Sequence, residues 1–507
     1  MFRIAIYCAI IRNKPKPELK MNKTINIASS RPGTGKTWTA CKVAREWIAK
    51  GKRVIFVVPT KLLAHEVYTE LSDCNPLKIE SQPNDPSIAK LNKHLHPAEL
   101  TPLIVCQHAA FHRCSKKNLR HWTVIVDELP NHIQVHPTPV ASNQLSVFQY
   151  LGVDDEKKMF IKTGCVRNLI KHVRDFEKGG TKANSVSLLS AAAYRICKAV
   201  IDKSDVYVSD YGNNQSLIYY AEESGFLQRF SHCKEVHLLS ATWDGSLFEW
   251  FATAQGFITN RSILTPSPPP EHQQNIRIIP LLSQNQCSKN VLESLAPINN
   301  NEKSSVQIRN IQVIANMVSK HIGNNDKCLA FVHDWANLDE PKNFIMCKLD
   351  SRGLNSYINE SNVLCLFHGN PLPTAGRVFE ALAKKYFGCQ KSLIAAWKRT
   401  HLYERTLQNI YRCSLRTRNS LTEVNLYVQD ELVADYLTRT YLPTAKIDNS
   451  LVKEYKSPKK RGRAGEPEEP AAIALLEQGM KPSKVAEQTG ISVQKIYEYK
   501  RKLKAAA

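Results

Sequence analysis

The stretch Ser29-Ser30-Arg31-Pro32-Gly33-Thr34-Gly35-Lys36-Thr37 stands between a strand-like run, Thr24 to Ala28, and a helix-like run, Trp38 to Ala49. A loop of small residues that leaves a strand and opens a helix can fold its backbone N–H groups round a phosphate chain, with the helix N-terminus adding favourable dipole. In that geometry Lys36 reaches the β- and γ-phosphates, Thr37 offers a hydroxyl to Mg²⁺, and Ser30, Gly33, Thr34 and Gly35 form the cradle. Ser30 occupies the place where the pattern G-x-x-x-x-G-K-[ST] has its first glycine. The spacing predicts a nucleoside triphosphate site; the bland alternative is an ordinary Gly/Ser turn ahead of a helix.

Two later stretches weigh against the bland reading. Trp122-Thr123-Val124-Ile125-Val126 is a β-branched run that predicts a fully buried parallel strand, and Asp127 and Glu128 stand at its carboxyl end, where ligands sit in an open α/β sheet. Asp127 would hold Mg²⁺, directly or through water, and Glu128 would orient or deprotonate an attacking water. Val236 to Leu239 then leads into Ser240-Ala241-Thr242, a second apolar strand ending in small hydroxyl residues.

Taken in order, these motifs resemble those of the superfamily 2, DEAD-like helicases. The phosphate loop is similar to motif I, Asp127-Glu128-Leu129-Pro130 to motif II, and Ser240-Ala241-Thr242 to motif III, which implies a coupling role for Ser240 and Thr242. Val54 to Val58 followed by Pro59-Thr60-Lys61 resembles motif Ia, and Leu103 to Cys106 followed by Gln107-His108 the next strand-end contact. The resemblance implies that Thr60, Lys61, Gln107 and His108 grip a nucleic-acid backbone. More than a hundred residues separate motifs II and III, so an insertion is expected between Asn131 and Cys233; amphipathic stretches at Val166 to Phe176 and Val186 to Ile201 predict that it is mainly helical.

The second half is expected to hold a second domain of the same kind. Cys328 to His333 resembles motif IV. Phe344 to Lys348 with Arg352-Gly353-Leu354-Asn355 resembles motif V, in competition with a placement on His368-Gly369 and Ser392 to Ala396. Gln408, Arg412 and Arg416, on a predicted helix from Glu404 to Arg416, resemble motif VI, with Tyr411 in place of its glycine and the second arginine one residue late. Four residues apart, the two arginines would share a helix face, and either would serve as the arginine finger that phosphoryl transfer needs.

Composition sets the bounds. A chain of 507 residues, 43% hydrophobic and 23% charged, accommodates two or three domains, and a net charge of +23 favours a polyanionic partner. No apolar run reaches the roughly 20 residues needed to cross a bilayer. Ile4 to Ile11 is too short and too poorly flanked for a secretory signal, and whether the chain starts at Met1 or Met21 stays open. Fourteen cysteines are scattered without C-x-x-C pairs, which predicts a reduced, cytoplasmic protein with mostly buried thiols.

The last forty residues form the second informative region. Ala471 to Gln478, Val485 to Gln488 and Val493 to Leu503 predict three helices, with Gly490 at the tight turn and Ile491 and Ile496 in a small core. The stretch resembles the helix-turn-helix of resolvases and invertases. That implies duplex DNA as partner, with Lys460-Arg461-Gly462-Arg463 as a minor-groove arm and Gln494, Lys495, Glu498 and Arg501 facing the major groove. A protein-docking tail is the competing reading.

The expected fold is therefore α/β: two RecA-like P-loop domains with mainly parallel sheets, at 1–264 and 271–445, a helical insertion at about 131–233, a linker at Thr265 to Pro270, a basic tether at 446–469 and an all-α tail at 470–507. The expected function is an ATP- and Mg²⁺-dependent DNA helicase or translocase that holds single strands on its two motor domains, as in replication of a phage, plasmid or mobile element. A packaging-type DNA motor and a non-enzymatic, sequence-specific DNA-binding regulator are the alternatives.

Overall fold

The computed structural model describes residues 24–80, 87–141, 149–179, 189–212, 215–296, 308–339, 341–350, 357–372, 375–386, 389–417, 419–455 and 469–506. The first half is built on a seven-stranded, wholly parallel sheet. Its strands are β1 (Thr24–Ser29), β2 (Arg53–Val58), β3 (Pro76–Lys78), β4 (Leu103–Gln107), β5 (Trp122–Asp127), β11 (Glu235–Ser240) and β12 (Ile258–Arg261). They lie in the order β12-β1-β11-β5-β2-β4-β3. β5 is buried along its whole length because helices cover both faces of the sheet, which is why its side chains do not alternate between apolar and polar. Trp122 anchors its start: the ring is fully buried, Nε1 donates to the Leu95 carbonyl at 3.2 Å, and the Arg53 guanidinium lies 4.0 Å from the ring centroid.

Between β5 and β11 the chain builds a separate unit, and here the expectation of a mainly helical insertion is corrected. β6 (Ile133–Ala141), β9 (Val206–Gly212) and β10 (Gln215–Glu223) form an antiparallel sheet in the order β6-β10-β9. A hairpin of β7 (Leu151–Val153) and β8 (Met159–Ile161) and the helices Val166–Gly179 and Ala191–Ile201 complete the unit. Pro137 and Pro139 masked β6 in the sequence. As an edge strand it has one side without ladder partners and tolerates residues that lack an N–H. Ser190 caps the second helix, accepting from Ala193 N at 3.2 Å; residues 186–188 of the expected helix lie outside the described residues.

The second half carries a six-stranded parallel sheet, order β15-β14-β16-β17-β13-β18. The strands are β13 (Asn275–Leu282), β14 (Cys328–Val332), β15 (Phe344–Cys347), β16 (Asn362–Leu366), β17 (Glu423–Asp430) and β18 (Lys446–Ile447). Together the two sheets make a pair of RecA-like units, with Thr265 to Pro270 between β12 and β13. The expected end at residue 445 is corrected: β18 pairs with β13, and Tyr455 is buried in the same core. Helices Gly376–Tyr386 and Gln390–Lys398, although part of the second half, bury Val378, Phe379, Leu382, Leu393 and Ala396 in the core of the first.

The tail is three helices, Glu469–Glu477, Pro482–Thr489 and Val493–Ala506, round Ala472, Val485, Ala486, Ile491, Ile496 and Tyr499. Gly490 caps the middle helix at φ 70°, a left-handed conformation that glycine adopts without a Cβ clash.

Candidate functional site

The carboxyl ends of β1, β5 and β11 meet at one cleft. Beyond β1 the loop turns twice through left-handed backbone, at Gly33 (φ 72°) and Gly35 (φ 77°), before the helix Lys36–Ala49 begins. Both conformations are strained for any residue with a Cβ, so the glycines are what allow the loop to close. Ser30 and Thr34 hydroxyls lie 2.5 Å apart, and Ser30 N donates to the Ser240 carbonyl at 3.1 Å, tying the loop to the neighbouring strand end. Lys36 Nζ lies in the mouth of the loop, 2.8 and 2.9 Å from the Ser30 and Arg31 carbonyl oxygens.

Thr37 Oγ1 donates to Asp127 Oδ2 at 2.7 Å. A hydroxyl and a carboxylate at that separation are hard oxygen donors of the kind Mg²⁺ takes, so the pair fits the ion that accompanies a nucleotide. Asp127 is 3% exposed and burial raises its carboxyl above the usual range, opposed by the Thr37 hydrogen bond and the Lys36 charge. Glu128 follows at φ 61°, a conformation rare for a residue with a side chain, held by its N–H on the Leu239 carbonyl at 3.0 Å. This left-handed step puts Glu128 on the wall of the cleft beside Asp127 and was not visible in the sequence.

The opposite wall comes from the second domain. A cavity of about 350 Å³ is bounded by the loop Pro32 to Thr37, by Asp127 and Glu128, and by Gln408, Arg412 and Arg416. The residues expected from motifs I, II and VI are thus brought together. The helix that carries the last three is corrected: it runs Arg405–Ile410 and stops. Cys413 is extended, Ser414–Arg416 is a separate 3₁₀ turn, and Tyr411, Cys413 and Leu415 are buried in the domain core, which pulls the chain off the helical path. The arginines therefore do not share a helix face; they reach the cleft from a turn. Arg412 is 4% exposed, with Nη2 3.5 Å from Gln408 Oε1. Arg416 Nε donates to the Tyr411 carbonyl at 2.6 Å, and its side chain lies against Gly33, where a Cβ would come within 3.7 Å of Arg416 Cγ. Burial lowers the Arg416 pKa and the Glu128 charge opposes the shift.

The third strand end joins the domains. Ser240 Oγ accepts from Thr242 N at 2.9 Å, the Ala241 carbonyl accepts from Tyr441 Oη at 2.9 Å, and Leu247 N donates to Thr400 Oγ1 at 2.9 Å.

The residues expected to grip nucleic acid are more dispersed. Thr60 and Lys61 follow β2, where the Thr60 hydroxyl caps the helix Lys61–Glu70 by accepting from Leu63 N at 3.2 Å and Lys61 is exposed. Gln107 ends β4. His108 Nε2 is 3.0 Å from the Asp127 carbonyl oxygen, with its ring edge-on to Phe226, so it supports the carboxylate strand. Gln494 and Arg501 are exposed on the last helix of the tail and Lys495 is half-buried there. Arg461, Arg463 and Arg352 to Asn355 lie outside the described residues, as does the side chain of Glu498. Of the two placements weighed for motif V, the first lies on β15, the sheet edge; in the other, Gly369 follows the inner strand β16 and packs on Leu402 so tightly that a Cβ would sit 2.5 Å from the Leu402 Cβ, and Ser392 to Ala396 lie on the helix Gln390–Lys398.

Residues 17–146 match the DEAD/DEAH box helicase family. That segment thus carries a helicase-type ATPase domain, and the chain is an ATP-hydrolysing enzyme. No curated protein matches it. Solved structures similar to the chain include Xpd4 of S. tokodaii, at 12% identity over 86% of this chain and 96% of that one, TM-score 0.46. Mss116p bound to ssRNA and AMP-PNP is 12% identical over 95% and 79%, TM-score 0.29. Dbp5 of S. cerevisiae bound to RNA and ADP BeF3 is 9% identical over 88% and 87%, TM-score 0.31. Among the described residues no helix is long and apolar enough to cross a membrane.

Proposed function

We propose that this protein is a DNA helicase or translocase, powered by ATP hydrolysis between its two RecA-like domains and directed to duplex sites, such as those of a mobile element, by its three-helix tail. The observation that carries the reading is the shared cavity: Lys36 and Glu128 on one domain face Arg412 and Arg416 on the other. A γ-phosphate held there is in contact with both. Lys36 leaves its loop carbonyls for the phosphate oxygens, Glu128 orients and deprotonates the attacking water, and an arginine neutralises charge as the bond to the leaving phosphate breaks. Thr37 and Asp127 would hold Mg²⁺, which supplies further charge neutralisation when bound. Hydrolysis needs both walls, so it is linked to closure of the cleft, and reopening moves one strand-gripping domain relative to the other.

A net charge of +23 and the cationic last helix, with Lys495, Lys500 and Arg501, support a nucleic-acid partner, and a three-helix unit of this form supports duplex DNA. ATP hydrolysis with single-stranded DNA, single-stranded RNA or no polynucleotide tests the reading, alongside strand displacement on 5′-tailed, 3′-tailed and forked duplexes. DNA is expected to stimulate more than RNA. Stimulation by RNA alone would overturn the DNA assignment, and no hydrolysis at all would favour a non-enzymatic DNA-binding regulator.

A further inference from the structure

Beside the nucleotide cleft lies a second, smaller cavity of about 110 Å³, sharing Glu128, Ala241 and Gln408 with it and lined further by Thr242, His401 and Glu404. Glu404 has no part in the chemistry described above, yet it is 5% exposed at the junction of the two domains. Thr242, itself 5% exposed, lines the same cavity and acts on the Glu404 carboxyl as a hydrogen-bonding neighbour that draws its pKa down, while Glu404 Oε1 has no hydrogen-bond partner among the described residues. A buried carboxyl that leaves an oxygen unsatisfied costs stability, so the site retains it for something other than packing.

The local backbone points the same way. Arg399–Glu404 is a π-helical turn inserted between the helices Gln390–Lys398 and Arg405–Ile410, and such turns concentrate at functional sites. Glu404 ends that turn, one helical turn ahead of Gln408, and Gln408 Oε1 in turn meets Arg412 Nη2. Thr242, Glu404 and Gln408 thus line one cavity, and Gln408 in turn meets the arginine.

We infer that Glu404 is a positioning residue for ATP hydrolysis: by holding Thr242 of the first domain it sets where the segment bearing Gln408, Arg412 and Arg416 sits against the phosphate loop. The inference rests on the arginine reading proposed above. Burial pushes the Glu404 carboxyl well above the usual range, with the Arg399 charge opposing, so the neutral acid is favoured and glutamine copies its shape and hydrogen bonding.

The test is nucleic-acid-stimulated ATP hydrolysis by the full chain, with a single-stranded oligonucleotide as activator, in E404A, E404Q, T242V and the double variant E404A/T242V. E404A is expected to lower kcat on the order of 10²-fold, the cost of a small misplacement, with KM for ATP unchanged. E404Q restores most of the turnover, and the double variant is no worse than either single one, because both remove the same contact. A purely structural role would instead lower Tm and leave kcat of the folded fraction intact. Should E404A fail to fold, E404L, which refills the volume without an acceptor, replaces it. Wild-type kcat in the alanine or leucine variant, or additive losses in the double variant, overturns the inference. R412A and R416A run in parallel separate the two readings: if both retain wild-type turnover the arginine reading itself fails, and if one is inactive while E404A is not, only Glu404 fails.

Discussion

The two parallel-sheet domains face one another across the cleft and contribute to it by different means. In the first, the groups at the phosphate site stand at strand ends or in the loop just beyond: Lys36 and Thr37 after β1, Asp127 and Glu128 at the end of β5, Ala241 after β11. In the second, Gln408 lies on a helix of only six residues and Arg412 and Arg416 on the irregular turn that follows. Strand ends of a buried sheet are rigid and hold ligand in a fixed geometry. A turn on a separate domain brings its charge only when that domain is in place. On the function proposed above, the difference gives binding to the first domain and control of hydrolysis to the second.

The largest effect that tests this division is in the phosphate loop. Lys36→Ala is expected to abolish ATP hydrolysis and weaken nucleotide binding, because the γ-phosphate loses its cation; wild-type turnover would remove the assignment of the loop. On the other wall, Arg412→Ala or Arg416→Ala should cost roughly three to five orders of magnitude in turnover, whichever is the finger, while nucleotide binding to the first domain persists. Equal loss of binding in the arginine variants would erase the contrast between the domains. Glu128→Gln keeps the side-chain shape but not the base, and a loss of about 10² to 10⁴ in turnover with retained binding is expected. Loss of binding would make Glu128 structural.

Much of the first-domain site was legible because its signals are local. The loop at Ser30 to Thr37, the carboxylates at Asp127 and Glu128 and the hydroxyls at Ser240 and Thr242 each sit within a few residues of an apolar run whose direction in a parallel sheet is dictated by its neighbours. The left-handed step at Glu128 is not legible in the sequence, because a non-glycine residue gives no sign of positive φ. Nothing in Glu404 to Arg416 forbids a continuous helix; burial of Tyr411, Cys413 and Leu415 in the second domain bends the chain into the turn that carries Arg412 and Arg416. The insertion misled for a related reason. Its helices are strongly amphipathic, whereas its sheet depends on pairing β6 with β10 across more than seventy residues of sequence.

A smaller, pH-dependent effect belongs to the junction between insertion and motor. His132, 2% exposed and packed against Phe248 and Phe251, has its pKa lowered to about 4 by burial, with the Glu223 charge opposing. Folded, it stays neutral down to that value; unfolded, it takes up a proton near the ordinary 6.5. The unfolded chain therefore binds more protons in this window, and stability falls as pH drops, by roughly 2 kcal/mol between pH 6.5 and 5 from this residue. Denaturant unfolding across that range should show a shallower pH dependence in His132→Leu than in the wild type; equal slopes would assign the loss to other groups.

The smallest effect on hydrolysis is expected at the tail. Deleting residues from Ser457 onward should leave ATP turnover and its stimulation by single strands nearly unchanged, while duplex affinity falls and its dependence on salt becomes shallower. Gln494→Ala should alter which duplex is preferred without changing that dependence, since base-edge contacts specify and phosphate contacts position. Unchanged duplex binding after deletion would favour a protein-docking tail.

Local spacing in the sequence determined the phosphate loop, the carboxylates and hydroxyls of the first domain and the three short helices of the tail, since each is built by residues close along the chain. Where Arg412 and Arg416 come to rest, how Glu404 comes to share a cavity with Thr242, and how Gly376–Tyr386 and Gln390–Lys398 cross to the first domain's core were decided only by tertiary packing. Those contacts join residues far apart in sequence, and the buried surfaces that enforce them exist only once both sheets have formed.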